Sequence, residues 1–520
     1  MPVYDFPFTF EQNFFLLSGI KKLAGQTVWY GLSNIGGRFL SYLTVPIVTY
    51  LVGTRSGMAD VGTYNELYAC IAFLNIVFTY GFETGFFRFS NKPGVDGQGL
   101  FQTAFTSHII STVLLSLMLY VCRKPLDSFL GLGGHDNYIL YTIIIIAFDT
   151  LSTIPLAKLR KEERPKKYAF VNIAGIFVYV FLNIIFLGVL PGIHSGFIHD
   201  WYERQTILDL LLKANIAQSL VTFLLLFKEW KTIRFRLDKQ LWLQLWYYSS
   251  PLIIAGLAGM TNEVMDRVML KKLLPMSAQD AEIQVAIYAN CYKLSIFITL
   301  LWSAFRMAAE PFFFNKSQDK DSRIVFARVM KWFVITLAVA FLFTTLFLDE
   351  LKYIIGPKYR GGLGIVAVLC AANICIGIYY NLSIWYKLAD KMRIGMYITL
   401  IGAFITLIGN YFFIPKFGYY ASAWATFYCY FAMMLVCYFL GQRIYPIPYN
   451  VKKITAYLLV MLLLYFINAG VAHITENMIV RFLAGGILMI TFLLLIAWAE
   501  KKELQSMPVI GKYIKKYMAS

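Results

Sequence analysis

The stretch YILYTIIIIAFDTLSTIPLAKLRKEERPKK (138–167) decides how the rest of the chain is read. Its first part, 138–157, is apolar apart from Asp149 and a few hydroxyl side chains. A helix of about 20 such residues spans the roughly 30 Å hydrocarbon core of a bilayer. Six basic residues follow at once: Lys158, Arg160, Lys161, Arg164, Lys166 and Lys167. An apolar run of bilayer length stopped by a basic cluster predicts a membrane helix whose following loop stays in the cytoplasm, because Lys and Arg resist translocation.

The composition agrees. Of 520 residues, 59% are hydrophobic and 15% charged, with a mean hydropathy of +0.62; a soluble domain has about 45–50% apolar and about 25% charged residues. A soluble enzyme is excluded. Thirteen further runs of similar length bring the expected spans to fourteen: 27–51, 62–87, 102–122, 138–157, 168–190, 208–227, 241–264, 283–306, 325–348, 361–386, 394–414, 419–440, 453–471 and 480–498. An even number puts both termini on one side. With the N-terminus inside, 32 of the 47 basic residues fall on the cytoplasmic side and 12 outside, so both termini are predicted cytoplasmic. A second inner cluster runs from Lys228 to Lys239. The net charge of +18 is therefore read as topology, and no nucleic-acid partner is expected.

Little else carries chemistry. Six of the seven cysteines lie in apolar runs without metal-ligand spacing, the five histidines are scattered, and no Gly-rich phosphate loop is present. No metal, ATP or other cofactor is predicted. Residues 1–20 are rich in Phe and read as an interfacial extension. The longest outer loop, Pro191 to Gln205, is too short to fold by itself. Function has to lie between the helices.

Residues 61–92 align without a gap to 285–316, with identities at Val61/Val285, Tyr64/Tyr288, Tyr68/Tyr292, Phe73/Phe297, Phe89/Phe313, Asn91/Asn315 and Lys92/Lys316. Both segments begin the second span of a six-span set and run in the same direction. A parallel repeat of this kind predicts two six-helix lobes related by an axis along the membrane normal. The expected organisation is an N-lobe over 21–227, a linker at 228–240, a C-lobe over 241–440, and two added helices with a tail over 441–520.

An ionisable residue at the centre of a span costs about 2.5–3.5 kcal/mol or more unless it meets water or a partner, so each is a candidate. Arg38 sits midway along the first span, on a helical stripe with Tyr30, Asn34, Ser41 and Tyr42. Lys293 lies mid-span in the eighth, with Asn290 one turn away. Two cations facing one cleft repel unless the cleft is wet or holds an anion, so Arg38, Lys293, Asn34 and Asn290 are expected to bind an anionic cargo such as a diphosphate. The competing reading pairs Lys293 with an acid such as Asp149. Glu83 and Asp149 are candidates for a coupling H⁺ or Na⁺. Glu263, Asp266 and Arg267 in the seventh span, and Arg306 and Glu310 in the eighth, are expected as i,i+4 pairs or gate contacts near the two mouths. Pro46, Pro155 and Pro251 are potential hinges.

The residues also resemble a known family. TVWYGLSNIGGRFLSYLTVP (27–46), GFETGFFRFSNK (81–92), PLIIAGLAGMTNEVMDRVMLKKLLP (251–275), IYANCYKLSIFITLLWSAFRMAAEPFFF (287–314), NLSIWYKLADKMRIGMYITLIGAFITLIGNYFFIP (381–415) and GYYASAWAT (418–426) are similar to bacterial polysaccharide flippases, over about residues 20–450. These belong to the superfamily of multidrug, oligosaccharidyl-lipid and polysaccharide exporters. The resemblance implies a MATE-like inner-membrane protein that moves undecaprenyl-diphosphate-linked oligosaccharide between leaflets, with other polysaccharide-assembly proteins as partners. It carries the diphosphate role to Arg38 and Lys293, and extends it to Arg267 and Arg306. A lipid II flippase and a multidrug antiporter are the alternatives on this fold. A membrane glycan polymerase or ligase would need a substantial outer loop, which is lacking, so no enzyme is expected.

Overall fold

In a computed structural model, described at residues 36, 40, 42–90, 92, 94–134, 137–162, 164–231, 234–317, 321–389 and 391–506, all regular secondary structure is helical. The main helices are α1 (Thr44–Leu51), α2 (Arg55–Thr79), α3 (Phe82–Ser90), α4 (Gly97–Val121), α5 (Asn137–Lys161), α6 (Pro165–Ile184), α7 (Ile207–Leu225) and α8 (Lys239–Leu273). They continue as α9 (Ala278–Tyr292), α10 (Ile296–Lys316), α11 (Ser322–Leu346), α12 (Val366–Leu382), α13 (Met392–Phe417), α14 (Tyr419–Ile444), α15 (Val451–Ile474) and α16 (Met478–Ala499).

Twelve segments among the described residues are long and apolar enough to cross a membrane. Each covers one of the fourteen expected spans. Of the two not among them, the span at 27–51 lies largely outside the described residues. The span at 241–264 is part of α8, a helix of 35 residues that is long enough but more polar. The polytopic all-α fold is as expected, with twelve spans supported by length and composition rather than fourteen.

Helix starts follow local chemistry. Asp96 accepts from the backbone N–H groups of Gln98 and Gly99 at the start of α4, and Asp238 and Asn477 do the same at the starts of α8 and α16. Thr206 and Asp209 form a capping box at α7. Pro155 and Pro251 lie inside α5 and α8, as expected of kinked membrane helices. The outward faces are apolar: Leu459, Leu463 and Phe466 of α15 and Ile479, Leu483, Ile487 and Leu494 of α16 are all exposed. In water such faces would be unstable; in hydrocarbon they are the solvent-facing surface.

The repeat segments share an interruption, but not at equivalent positions. The first breaks at Tyr80 and Gly81, both left-handed with φ of 35° and 73°. A left-handed tyrosine is strained by about 1–3 kcal/mol. It is held by a 2.7 Å hydrogen bond between its hydroxyl and Ser107 and by edge packing on Phe82. The second breaks at a 3-10 turn over Lys293–Ser295.

The chain divides into two compact units. The first comprises Met1–Ala289 with Asn410–Pro415, so α8 and most of α9 pack with α1–α7, although they follow the division that the sequence repeat draws at 228–240. Its core includes Leu67, Ile71, Phe78, Ile145, Ile146, Leu208 and Leu212. The second comprises Asn290–Gly409 with Lys416–Ser520. There α11 and α12 are central, α12 packing on α14 and α11 on α15 and α16.

Candidate functional site

Buried charge in the first unit concentrates where the C-terminal end of α8, the N-terminal half of α2 and the start of α9 meet. Lys271 of α8 places its ammonium 2.8 Å from Glu66 of α2 and 3.0 Å from Glu282 of α9, and donates to the carbonyl of Leu130 at 2.8 Å. Lys272 donates to the carbonyl of Phe129. The approach of α2 to α9 depends on Gly62, where an added Cβ would stand 1.9 Å from the carbonyl oxygen of Glu282. One turn before Lys271, the carboxylate of Asp266 is buried and accepts from the hydroxyl of Tyr288 and, at 2.8 Å, from the backbone N–H of Arg267. Arg55 and Asp280 add an exposed ion pair at 2.5 Å.

Glu263, Asp266 and Arg267 therefore belong to this end of α8, but not in the expected arrangement. Arg267 donates to the main-chain carbonyl of Glu263 at 3.1 Å and lies 3.6 Å from the Asp266 carboxylate, so the i,i+4 side-chain pair gives way to a backbone contact. The reason is that Asp266 is already held by Tyr288, leaving a fixed negative group beside the arginine. Glu66, Lys271 and Glu282 were missed. Glu66 lies within the apolar run 62–87, and an acid in a span was the signal available.

The other acids separate clearly. Glu83 is at the far end, 2.6 Å from Arg160 and substantially exposed. Asp149 is half-buried in α5 beside Ser219 of α7, with no ion pair among the described residues of its own unit. Near it in the Tyr64–Tyr179 region, the two phenol hydroxyls are 2.6 Å apart.

In the second unit, Lys293 opens the 3-10 turn between α9 and α10 and donates to the side-chain carbonyl of Asn290 at 3.3 Å. Interrupted membrane helices expose main-chain polar groups and are tolerated where they line protein or a cavity. The polar row continues through Ser295, which accepts from Asn373 of α12 at 3.2 Å. Farther along α10, Trp302 donates to Asn373 at 3.4 Å and stacks on Tyr380, whose ring carries the guanidinium of Arg306 at 4.7 Å. Asn290 and Lys293 thus precede α10, and Arg306 lies farther along it, over Tyr380 of α12. Arg38 and Asn34 lie outside the described residues, as does the side chain of Glu310. Among the described residues no group of His, Cys, Asp and Glu is arranged to hold a metal.

A family model described as polysaccharide biosynthesis protein matches residues 23–317, more than half of the chain. No curated protein sequence matches. Among solved structures, the chain is similar to the lipid II flippase MurJ in an inward closed conformation, at 14% identity over 91% of this chain and 99% of that one, with a TM-score of 0.70. It is also similar to an inward-facing multidrug resistance MATE family transporter of the MOP superfamily, at 12% identity over 80% of this chain and 94% of that one, with a TM-score of 0.57. An outward-facing transporter of the same family gives 13%, 81%, 95% and 0.54. At such identities the likeness is one of fold. The MATE-like architecture expected from the sequence is thereby established, and the chain belongs to the polysaccharide biosynthesis protein family, as a polytopic membrane protein.

Proposed function

We propose that this protein is a flippase that carries undecaprenyl-diphosphate-linked oligosaccharide, the repeat unit of an O-antigen, capsule or exopolysaccharide, from the cytoplasmic to the periplasmic leaflet of the bacterial inner membrane. The reading rests on Lys293. A cation at a break in a membrane helix, 3.3 Å from the side-chain oxygen of Asn290, stands in polar surroundings suited to a phosphate oxygen. The family supplies the context of polysaccharide assembly. One structural neighbour is named as a flippase of a lipid, so lipid cargo suits this fold.

In this mechanism the diphosphate meets Lys293 and Arg38, and Asn290, Asn34 and the aromatic row at Trp302 and Tyr380 face glycan or headgroup. The prenyl chain stays in lipid. The two states of an alternating-access cycle differ in whether the α2–α8–α9 contact is made, and H⁺ or Na⁺ movement drives the exchange, with Asp149 or Glu83 as its carrier. Other polysaccharide-assembly proteins supply and consume the cargo. No covalent step is required, so the protein is not an enzyme in this reading.

The test is a deletion strain analysed for surface glycan and for the leaflet in which lipid-linked intermediate accumulates, using an impermeant reagent. Loss of surface polysaccharide with intermediate held on the cytoplasmic face is expected. Normal glycan with altered drug susceptibility would overturn the proposal in favour of an antiporter; loss of cell-wall precursor export would point to lipid II.

A further inference from the structure

At the end of the first unit opposite the Lys271 cluster, a cavity of about 340 Å³ lies between α3, the first turns of α4 and the last turns of α5. Its walls combine the rings of Phe86 and Phe101 with Lys158, Lys161 and Gln102. Gln102 is the informative residue. Only 7% of it is exposed, and it forms part of the cavity wall. An amide at a cavity wall donates to and accepts from whatever ligand or water the cavity holds.

The charge balance says which ligand. Lys158 is 3.8 Å from Glu162, which also lines the cavity and is 3.3 Å from Arg164, so Glu162 is largely neutralised from outside. Lys161 has no carboxylate within ion-pair distance among the described residues; its nearest ring is Phe86 at 6.0 Å. Arg160, on the same turn, is occupied by Glu83. The helix start itself contributes little, because Asp96 already accepts from Gln98 and Gly99. The absence of a side chain at Gly97 matters more: an added Cβ would sit 3.4 Å from the Lys161 ammonium and narrow the approach to it. Two ammonium groups, an amide and two aromatic faces together recognise a phosphate ester whose carbon skeleton bears hydroxyls.

We propose that this cavity binds the phosphate headgroup of a lipid, with Lys158 and Lys161 on the phosphate oxygens, Gln102 on a phosphate or hydroxyl oxygen, and Phe86 and Phe101 against the carbons. The last turn of α5 runs into the basic loop 158–167, so the site lies at headgroup level of the leaflet that loop faces. It is separate from the Lys293 row, and its test needs no transport, so it can fail or hold independently of the flippase reading.

The full-length protein in phosphatidylcholine nanodiscs is titrated with phosphatidylglycerol in one arm and with undecaprenyl-diphosphate-linked N-acetylglucosamine in the other, binding being read by native mass spectrometry. Saturable binding in either arm, weakened at least tenfold by Lys161→Ala and by Gln102→Leu and retained by Lys161→Arg, is expected. Binding confined to phosphatidylglycerol assigns a resident membrane lipid; binding confined to the diphosphate assigns an entry point for cargo. Gly97→Val, which narrows the cavity without removing charge, should give the same loss, and thermal unfolding checks that each variant is folded. No preference over phosphatidylcholine in either arm, or undiminished binding by folded Lys161→Ala and Gly97→Val variants, overturns the proposal.

Discussion

The ammonium of Lys271 lies 2.8 Å from the carboxylate of Glu66, tying α8 to α2 inside the first unit. With Glu282 at 3.0 Å on its other side, one cation serves two carboxylates, and both Glu66 and Lys271 are nearly out of solvent. Removing one partner of a buried pair leaves an uncompensated charge and costs about 3–5 kcal/mol. Lys271→Met should therefore lower the thermal unfolding midpoint markedly in a fixed detergent. The double variant Lys271→Met with Glu66→Gln should recover much of the loss, since fewer buried charges remain unpaired. An unchanged midpoint in Lys271→Met would show that the pair contributes nothing.

The same contact can be opened sterically. A methyl group at Gly62 would overlap the Glu282 carbonyl oxygen, which belongs to rigid helix backbone, so α2 and α9 must separate. Overpacking of this kind costs about 1–3 kcal/mol. Gly62→Ala should raise the labelling rate of a cysteine introduced by Glu282→Cys, measured with an impermeant maleimide. Equal rates in the presence and absence of Gly62→Ala would mean that the helices accommodate the methyl group without parting.

The extent to which this architecture is readable from sequence differs between spans and sites. Span length is a one-dimensional property: the apolar run at 325–348 returns as α11 within a few residues, and that at 361–386 lies inside the helical segment Pro357–Leu388, which contains α12. A run of apolar residues does not reveal which polar residue meets which. Glu66 and Lys271 are 205 positions apart in a chain whose helices each present several faces, and only packing selects the pair. The broken helix at Lys293 was also hidden, because the cause is a local change of hydrogen bonding in a run that is helical on both sides. Nor does the sequence reveal that Gln102 forms part of a cavity wall beside Lys158 and Lys161.

A second buried cluster fixes the added C-terminal helices. Lys331 of α11 lies 2.6 Å from Glu500 and 2.7 Å from Glu503, while Lys453 and Tyr457 of α15 reach Glu500 at 2.8 and 2.5 Å. Burial by itself raises the Glu500 carboxyl, but hydrogen bonds from Lys331, Lys453 and Tyr457 outweigh it and hold the group below the ordinary glutamate range. A lowered folded value means that the carboxylate stabilises the docked state fully above the unfolded value, about 4.3, and that this is lost as pH falls through the lower folded value. Proteolysis of the segment after α14 should accelerate on acidification below about pH 4. Glu500→Gln should make it fast already at neutral pH and flatten the pH response; a wild-type response that survives Glu500→Gln would assign the transition to another group.

The two candidates for ion coupling are not equivalent in their surroundings. Glu83 is already matched by Arg160 at 2.6 Å and is open to solvent, where an ion pair contributes about 0–1 kcal/mol and gives little reason for proton capture. Asp149 has Ser219 beside it and no ion pair among the described residues of its own unit, so its charge is the one that a proton or sodium ion would compensate. In proteoliposomes with an imposed ion gradient, Asp149→Asn should abolish the gradient dependence of lipid-linked oligosaccharide movement, and Glu83→Gln should leave it within about twofold of wild type. The opposite pattern would move coupling to the Glu83–Arg160 end.

The strongest single-residue prediction concerns Lys293, because two separate features meet there. It sits at the 3-10 break between α9 and α10, and there it donates to Asn290. A cation whose role is only structural could be replaced by a polar residue that keeps the Asn290 hydrogen bond, and Lys293→Gln does so. A cation that contacts a diphosphate cannot, since the charge-assisted bond is lost and is worth about 1.5–3 kcal/mol, or roughly ten- to a hundredfold in binding. Lys293→Gln and Arg38→Ala should thus each abolish surface glycan with the protein still present in the membrane, whereas Lys293→Arg, which keeps the charge, should retain export. Normal export by Lys293→Gln would reduce the residue to a helix-packing role and remove the basis for a diphosphate at this site.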